Sequence, residues 1–425
     1  MTFRIYTLGC KLNCCDSAGI EAALIADGYS PAEDSPPDIF IVNSCAVTST
    51  AVTKSRHALS RAKKENPDCI TVLCGCFPQS YPEEAGLKTT ADIVLGNSNK
   101  SSICEILRDY LHRPVKTVKV LPMTREYDEN AAAPDEDRTR AFIKAQDGCN
   151  RFCTYCIIPK ARGRVRSLPI GSLEKQCADC VCDGHKEIVV TGINLGCYGQ
   201  DLGLTLSDAV KAAARSGVER LRLSSLEPEL VTDELISTLK STPSLCPHFH
   251  LSLQSGSTAV LKRMARMYTA EQYREVVDKL RCAFPECSIT TDIIVGFPEE
   301  TDEEFAETVT FAKEIGFAKI HVFPYSRREG TVAAEMRQLP PVIRSQRVNL
   351  LSGTAKELEL AYFRQQVGKI RSVLIEKPQS DDYSHGFTEN YVPVRIYGAK
   401  VPRHTLVKVI ISGFREDYCT GRILE

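Results

Sequence analysis

The sequence lacks an excess of either charge, a long apolar run, internal repeats and any low-complexity tract. Lys and Arg number 53 against 54 Asp and Glu, giving a net charge of −1. That excludes a globally basic nucleic-acid coat but leaves room for a local basic groove. No stretch of about 18 uninterrupted apolar residues occurs, so no membrane span is expected. The opening MTFRIYTLGC carries no charged-then-apolar leader pattern, and the expected setting is the reducing cytoplasm. What remains is an ordinary globular balance over 425 residues, 43% hydrophobic and 25% charged. This length suggests two to four domains that need neither disulfides nor metals merely to fold.

Against that background, 19 cysteines stand out. An odd count cannot pair fully within one chain, and cytosolic thiols stay reduced. Some will be core filler, since free cysteine buries readily. Spacing must separate those from ligands.

The first hundred residues alternate strand and helix patterns. Strands are expected at Phe3–Leu8, Asp38–Asn43, Cys69–Leu73 and Asp92–Leu95, with helices over Ser17–Asp27, Thr53–Lys64 and Ser101–Leu111. Such alternation implies a doubly wound parallel sheet. Cys10, Cys45 and Cys76 follow the first three strands, where open α/β sheets bind ligands. They form either one three-thiolate site or three unrelated loop cysteines. An acidic, Pro-containing stretch closes this domain, so we divide the chain into 1–120, a linker at 121–138, a domain at 139–366 and a tail at 367–425.

Strand patterns resume at Ala141–Gln146, Glu187–Thr191, Arg220–Ser224, His248–Leu253, Ser288–Val295 and Lys319–Pro324. Six βα units predict a partial (βα)6 barrel. A long helix over Val342–Gln366 leads to a tail of short apolar runs, which reads as a small antiparallel β-barrel.

Directly after the first of these six strands comes DGCNRFCTYC, placing Cys149, Cys153 and Cys156 in a C-x3-C-x2-C array. Three thiolates so close can hold one compact cluster. A 4Fe–4S cubane takes four cysteines, so three leave one iron open to a ligand. The competing readings are a zinc site with a distant fourth ligand, or core cysteines.

This array at this place resembles the signature of radical S-adenosylmethionine (SAM) enzymes. The longer run CNRFCTYCIIPKARGRVRS resembles the methylthiotransferase family, as do LGCKLN, NSCAVT, CGCFPQ, SSLEP, HLSLQSGS, TDIIVGFPEET and HVFPYSRREGT. The tail resembles the family's RNA-binding TRAM domain. The resemblance implies two 4Fe–4S clusters. Cys149, Cys153 and Cys156 would hold the one that reductively cleaves SAM to a 5′-deoxyadenosyl radical, and Cys10, Cys45 and Cys76 the one that carries the sulfur to be delivered. It implies a tRNA anticodon arm as partner and an external one-electron reductant, with no membrane. Among the family's branches, LGCKLN and HVFPYSRREGT look most like the one acting on N6-threonylcarbamoyladenosine. The alternatives are N6-isopentenyladenosine and an aspartate of a ribosomal protein. A reading of a different class is a non-catalytic, zinc-containing tRNA-binding protein.

Further contacts to SAM are expected from Tyr155, from Thr191, Gly192 and Asn194 at the second strand end, and from Glu227, Gln254 and Gly296 at later ones. From Arg138 to Arg166 eight basic residues face one acid, Asp147. This suits a phosphate backbone, with Lys160, Arg162, Arg164 and Arg166 as candidate RNA contacts. Lys262, Arg263 and Arg266 read as a solvated basic helix face. Cys74 is expected to end a strand that a turn at Gly75 then breaks, and to point away from the cluster site; the alternative is a spectator thiol near it. The roles of Cys14 and Cys15 stay open. Cys177, Cys180 and Cys182 fall in a helix away from the strand ends. His185, His248 and His250 show no ligand spacing and read as structural.

Overall fold

The computed structural model describes residues 1–33, 35–129, 139–376 and 382–424. Arg138 and the second half of the acidic stretch lie outside them. The chain divides into two compact units. One comprises the described residues of 1–135 with 146–168 and 326–334. The other comprises those of 136–145, 169–325 and 335–425.

The first unit is built on a six-stranded, all-parallel sheet. Its spatial order is Ser30–Pro31, Thr2–Thr7, Ile39–Ser44, Ile70–Gly75, Ile93–Leu95, Thr117–Lys119. Four strands match the expected ones. The two short outer strands were not expected, because two or three residues carry no readable alternation. Successive side chains alternate between faces. Ile41, Val72 and Ile93 therefore join Ile20, Leu24 and Ile106 in one core layer. Val42, Leu73 and Val94 join Val52, Leu59 and Ala85 in the other. This is a doubly wound sheet, and the order in which strands are added reverses at the pair Thr2–Thr7 and Ile39–Ser44. Such a switch point opens a crevice at the carboxyl ends of the strands.

The helix Lys11–Ala26 starts six residues earlier than expected, immediately after Cys10, whose extended backbone makes it the N-cap. The helix Ser49–Glu65 is capped by Thr48, whose hydroxyl accepts from Ala51 N at 3.2 Å. It buries Val52, Ser55, Leu59 and Ala62, a single helical stripe.

The second unit holds two three-stranded parallel sheets. One is Arg220–Leu223, Glu187–Thr191, Ala141–Lys144; the other is His248–His250, Ser288–Val295, Lys319–Pro324. Bridges Leu221↔Leu245 and Leu226↔Leu251 continue the first into the second. The result is the expected partial barrel of six parallel strands. The tail forms a closed five-stranded barrel of Ile370–Ile375, Tyr383–Thr388, Pro393–Tyr397, Cys419–Ile423 and Leu406–Phe414. One of its pairings, Pro393–Tyr397 with Cys419–Ile423, is parallel rather than antiparallel.

The tail barrel closes on the amino ends of the parallel strands. Ser288 Oγ donates to Asn390 O at 2.7 Å, and an Arg220 guanidinium nitrogen donates to Phe387 O at 3.0 Å. Arg222 stacks over Tyr391, 4.6 Å from the ring centre. Beneath lies Glu187, fully buried, bonded to Arg140 at 2.9 Å and Arg222 at 2.8 Å, with Arg220 at 3.4 Å. Arg140 therefore belongs to an internal network and not to a nucleic-acid surface. Burial alone would raise the Glu187 pKa, but Arg222 and Arg140 outweigh it and hold the carboxyl at about 2. A depressed carboxylate contributes stability in full above its unfolded value, near 4.5, and loses it as pH falls towards 2. Glu187→Gln is expected to cost about 3 kcal/mol at neutral pH, because three buried guanidinium groups lose the carboxylate they share, Arg140 and Arg220 keeping Glu376 and Glu389. It should also flatten the stability-versus-pH curve below pH 4.5. Urea unfolding across pH 2–7 checks both effects.

Candidate active site

Cys10, Cys45 and Cys76 converge at the switch-point crevice. Cys10 follows the strand Thr2–Thr7, Cys45 follows Ile39–Ser44, and Cys76 follows Ile70–Gly75. Asn13 Oδ1 lies 3.8 Å from Cys10 Sγ and 4.0 Å from Cys76 Sγ. A Cβ on Gly9 would sit 3.3 Å from Cys45 Sγ and 3.1 Å from Asn13 Nδ2. The first two strands therefore need their glycine turn to admit Cys45 beside Cys10. Gly75 does the same for the third, with φ +100 and a Cβ that would meet Ser44 O at 2.6 Å. That break separates Cys74 from Cys76. Cys74 is fully buried in the core, where burial pushes its thiol up to about 12.

The donor set fits an iron–sulfur cluster. Three soft sulfurs meet at the positive end of the 16-residue helix Lys11–Ala26, which favours anionic ligands. Asn97 Nδ2 approaches Cys76 Sγ at 3.4 Å and Val47 N approaches Cys45 Sγ at 3.4 Å, as donors to thiolate sulfur do. Burial, then the neighbouring thiol of Cys76, pushes Cys45 up to about 11. Without metal this thiol is protonated at neutral pH, so loading releases a proton.

The C-x3-C-x2-C loop lies in the same compact unit. Its base is a two-residue antiparallel pairing of Gln146–Asp147 with Arg166–Ser167. Gly148 turns the chain with φ +71, and a Cβ there would lie 1.9 Å from Arg164 O. Cys149 is buried and its N–H donates to Gly163 O at 3.0 Å, while Cys156 N donates to Cys153 O at 2.9 Å. Cys153, Tyr155 and Cys156 are half-buried. The segment Ser326–Ala334 ties this loop to the Cys45 loop. Ala333 N donates to Thr154 O at 2.8 Å, and Arg328 donates to Ala46 O at 3.3 Å.

One residue joins both cysteine sets. Arg162 is only 1% exposed. One terminal nitrogen donates to the Asp147 carboxylate at 3.0 and 3.1 Å; the other donates to Asn13 Oδ1 at 2.6 Å and Asp16 at 3.0 Å. Burial opposes its charge, but Asp147, Cys76, Asp16 and Cys10 together hold it well above its ordinary value. Asp147 lies two residues before Cys149, and Asn13 three after Cys10.

This overturns part of the expected RNA surface. Arg162 is internal, and Arg166, 4% exposed, donates to Thr124 O at 3.0 Å and Arg162 O at 2.9 Å. Neither guanidinium can present itself to a phosphate backbone. Lys160 and Arg164 remain exposed, Arg164 stacked over Phe152 at 4.6 Å. The basic helix face is also not solvated throughout. Arg266 is buried against Glu227, and Arg263 pairs with Glu304 at 2.8 Å.

The remaining expected SAM contacts lie in the second unit, at the carboxyl ends of its strands. Thr191 and Asn194 are buried, and Gly192 N donates to Ser224 Oγ at 3.2 Å. Glu227 is committed to Arg266. Gln254 adopts φ +67, uncommon for a residue with a side chain. Gly296, with φ +68, donates to Glu300 Oε2 at 2.8 Å, and a Cβ there would strike Arg344. Cys177 and Cys180 sit buried in the helix Ile170–Cys182, and Cys182 is exposed. Burial, then the thiol of Cys180 one helical turn away, raises the Cys177 thiol. The reading from sequence missed Asn13, Asn97 and Asp16. Asn13 stands inside the quoted LGCKLN run, the one signal that could have marked it.

The fold and the family models that the chain matches define a radical SAM enzyme with an additional amino-terminal domain. A model of the radical SAM superfamily matches residues 143–312, and one described as uncharacterized protein family UPF0004 matches residues 2–96. A threonylcarbamoyladenosine tRNA methylthiotransferase (MtaB) from Thermotoga maritima is 39% identical over 96% of this chain and 94% of its own length. Its Bacillus subtilis counterpart is 36% identical over all of this chain and 96% of its own. A tRNA-2-methylthio-N(6)-dimethylallyladenosine synthase from Lachnoclostridium phytofermentans is 32% identical, covering all of this chain and 96% of its own length. The solved radical SAM methyltransferase TsrM from Kitasatospora setae aligns over 78% of this chain and 74% of that one. Its TM-score of 0.58 at 13% identity speaks to the fold alone. The chain belongs to the radical S-adenosylmethionine methylthiotransferase family.

Proposed function

We propose that this enzyme adds a methylthio group to C2 of N6-threonylcarbamoyladenosine beside the tRNA anticodon. The observation that carries this reading is near full-length identity of 34–39% to relatives named for that substrate, against 31–33% to those named for the dimethylallyl one. Bound 4Fe–4S clusters would supply electron transfer to SAM at Cys149, Cys153 and Cys156, and the transferable sulfur at Cys10, Cys45 and Cys76. The chain's own part is positional. Arg162 keeps the two cysteine loops in register, and its charge offsets that of the thiolates. Asn97 donates towards Cys76. The exposed Lys160 and Arg164, with the TRAM-like tail barrel, are the surfaces we assign to tRNA. No helix among the described residues is long and apolar enough to cross a membrane.

The test is a reaction of the cluster-loaded chain with SAM and dithionite on two anticodon stem-loops. One carries threonylcarbamoyladenosine and the other dimethylallyladenosine. Mass gain on the first alone is expected. Gain on the second alone would reassign the substrate.

A further inference from the structure

Three neighbouring parallel strands bring His250, Asp292 and His321 together, with one ligand atom from each lying within 4.8 Å of the others. The residues come from the strands His248–His250, Ser288–Val295 and Lys319–Pro324, and pairing places Asp292 directly beside His321. Sequence spacing could not reveal this, since 29 residues or more separate each from the next. His250 is thus more than the structural histidine expected from sequence. On the Ser288–Val295 strand, Ile289, Thr291, Ile293 and Val295 are at most 1% exposed and fill one face. Asp292 stands on the other, its side chain 33% exposed, and His321 is exposed beside it. The cluster therefore opens onto space that a ligand can enter.

Hydrogen bonding prepares His250 as a donor. Its Nδ1 lies 3.0 Å from Thr290 Oγ1, and that hydroxyl lies 3.2 Å from His248 Nε2. If Thr290 gives its proton to His248, it accepts one from His250 Nδ1. The lone pair of His250 then sits on Nε2, which faces Asp292 Oδ2 at 3.4 Å. Fixing one imidazole nitrogen through the other is how proteins orient histidine ligands. Two imidazoles and one carboxylate form a three-point set for a divalent first-row metal, with open positions opposite. The spread of up to 4.8 Å exceeds the roughly 3–3.5 Å between ligands of a bound ion. The exposed side chain of His321 has the freedom to close that gap.

We propose that His250, Asp292 and His321 bind a divalent metal ion whose open positions receive the carboxylate and hydroxyl of the substrate's threonyl group. The second half rests on the proposed function above. The chemistry gives it a reason. Threonylcarbamoyladenosine brings a carboxylate that the bare Asp292 would repel, and an interposed cation turns repulsion into attraction. A dimethylallyl group has neither oxygen ligand.

Manganese(II) is a suitable probe, because the many thiols of this chain are soft ligands that suit it poorly. Free Mn2+ is followed by its electron paramagnetic resonance signal during titration of the cluster-loaded full chain. One tightly held ion per chain is expected, weakened at least about tenfold in both Asp292→Asn and His321→Ala. Neither change removes a core side chain, so both variants should fold. Added threonylcarbamoyladenosine nucleoside should alter the spectrum of the bound ion, and dimethylallyladenosine should not. No binding below millimolar Mn2+, or binding equal in the variants, would overturn the metal site. Bound Mn2+ indifferent to the first nucleoside would overturn its role in substrate recognition. The stem-loop reaction tests the function itself separately, so either failure can be told from failure of that reading.

Discussion

A chain carrying Cys153→Ala is expected to lose SAM cleavage by more than about a thousandfold while keeping about four of some eight irons. Two thiolates cannot retain a cubane that already leaves one iron open. Cys10, Cys45 and Cys76 lie on separate strand ends with their own supports in Asn13, Asn97 and Val47. Their iron should therefore survive the change. The reciprocal variant Cys76→Ala is expected to cleave SAM and fail to thiolate. Iron analysis with 5′-deoxyadenosine quantification checks the pair. Undiminished cleavage by Cys153→Ala would remove the loop from the chemistry.

Arg162→Met is the second change with a large expected effect. The substitution preserves bulk but takes one guanidinium away from two carboxylates. Asp147 keeps the Gly148 N–H at 2.8 Å and Arg166 at 3.6 Å, and Asp16 keeps Lys100 at 2.5 Å. Removing one member of a buried charge network costs about 3–5 kcal/mol, and remaining partners put this case near the lower end. For a domain of this size that is a loss of about 6–12 °C in Tm. Loss of the positive charge beside Cys10 and Cys76 should also make that cluster harder to reduce, by on the order of 100 mV. Arg162→Lys keeps the charge but not the forked geometry. It should restore most of the potential and little of the stability. Calorimetry and redox titration separate the two effects, and an unchanged potential in Arg162→Met would remove the electrostatic role.

Arg162 also shows where sequence reading stops. Strand–helix alternation and the motifs made both α/β domains legible, along with the meeting of Cys10, Cys45 and Cys76 and the break at Gly75. Residues near in sequence or at a strand end announce themselves by spacing. A charge count treats every arginine as solvated, yet Arg162 finds Asp16 and Asn13 about 150 positions away. Nothing local distinguishes it from exposed Arg164, two residues on. Arg140 and Glu187 pose the same problem, since the tail barrel that covers them is far along the chain. The His250, Asp292 and His321 cluster exists only because parallel strands bring distant positions into register. The strands Ser30–Pro31 and Thr117–Lys119 escaped for the opposite reason: they are too short to show a period.

The proposed reaction is methylthiolation of threonylcarbamoyladenosine in tRNA. Its most direct test is mass spectrometry of tRNA nucleosides from cells with and without this gene. Without the gene, 2-methylthio-threonylcarbamoyladenosine is expected to be lost and its unthiolated precursor to accumulate, with the product returning when the gene is restored. An unchanged level of that nucleoside, in cells that otherwise lack a second gene of this family, would contradict it.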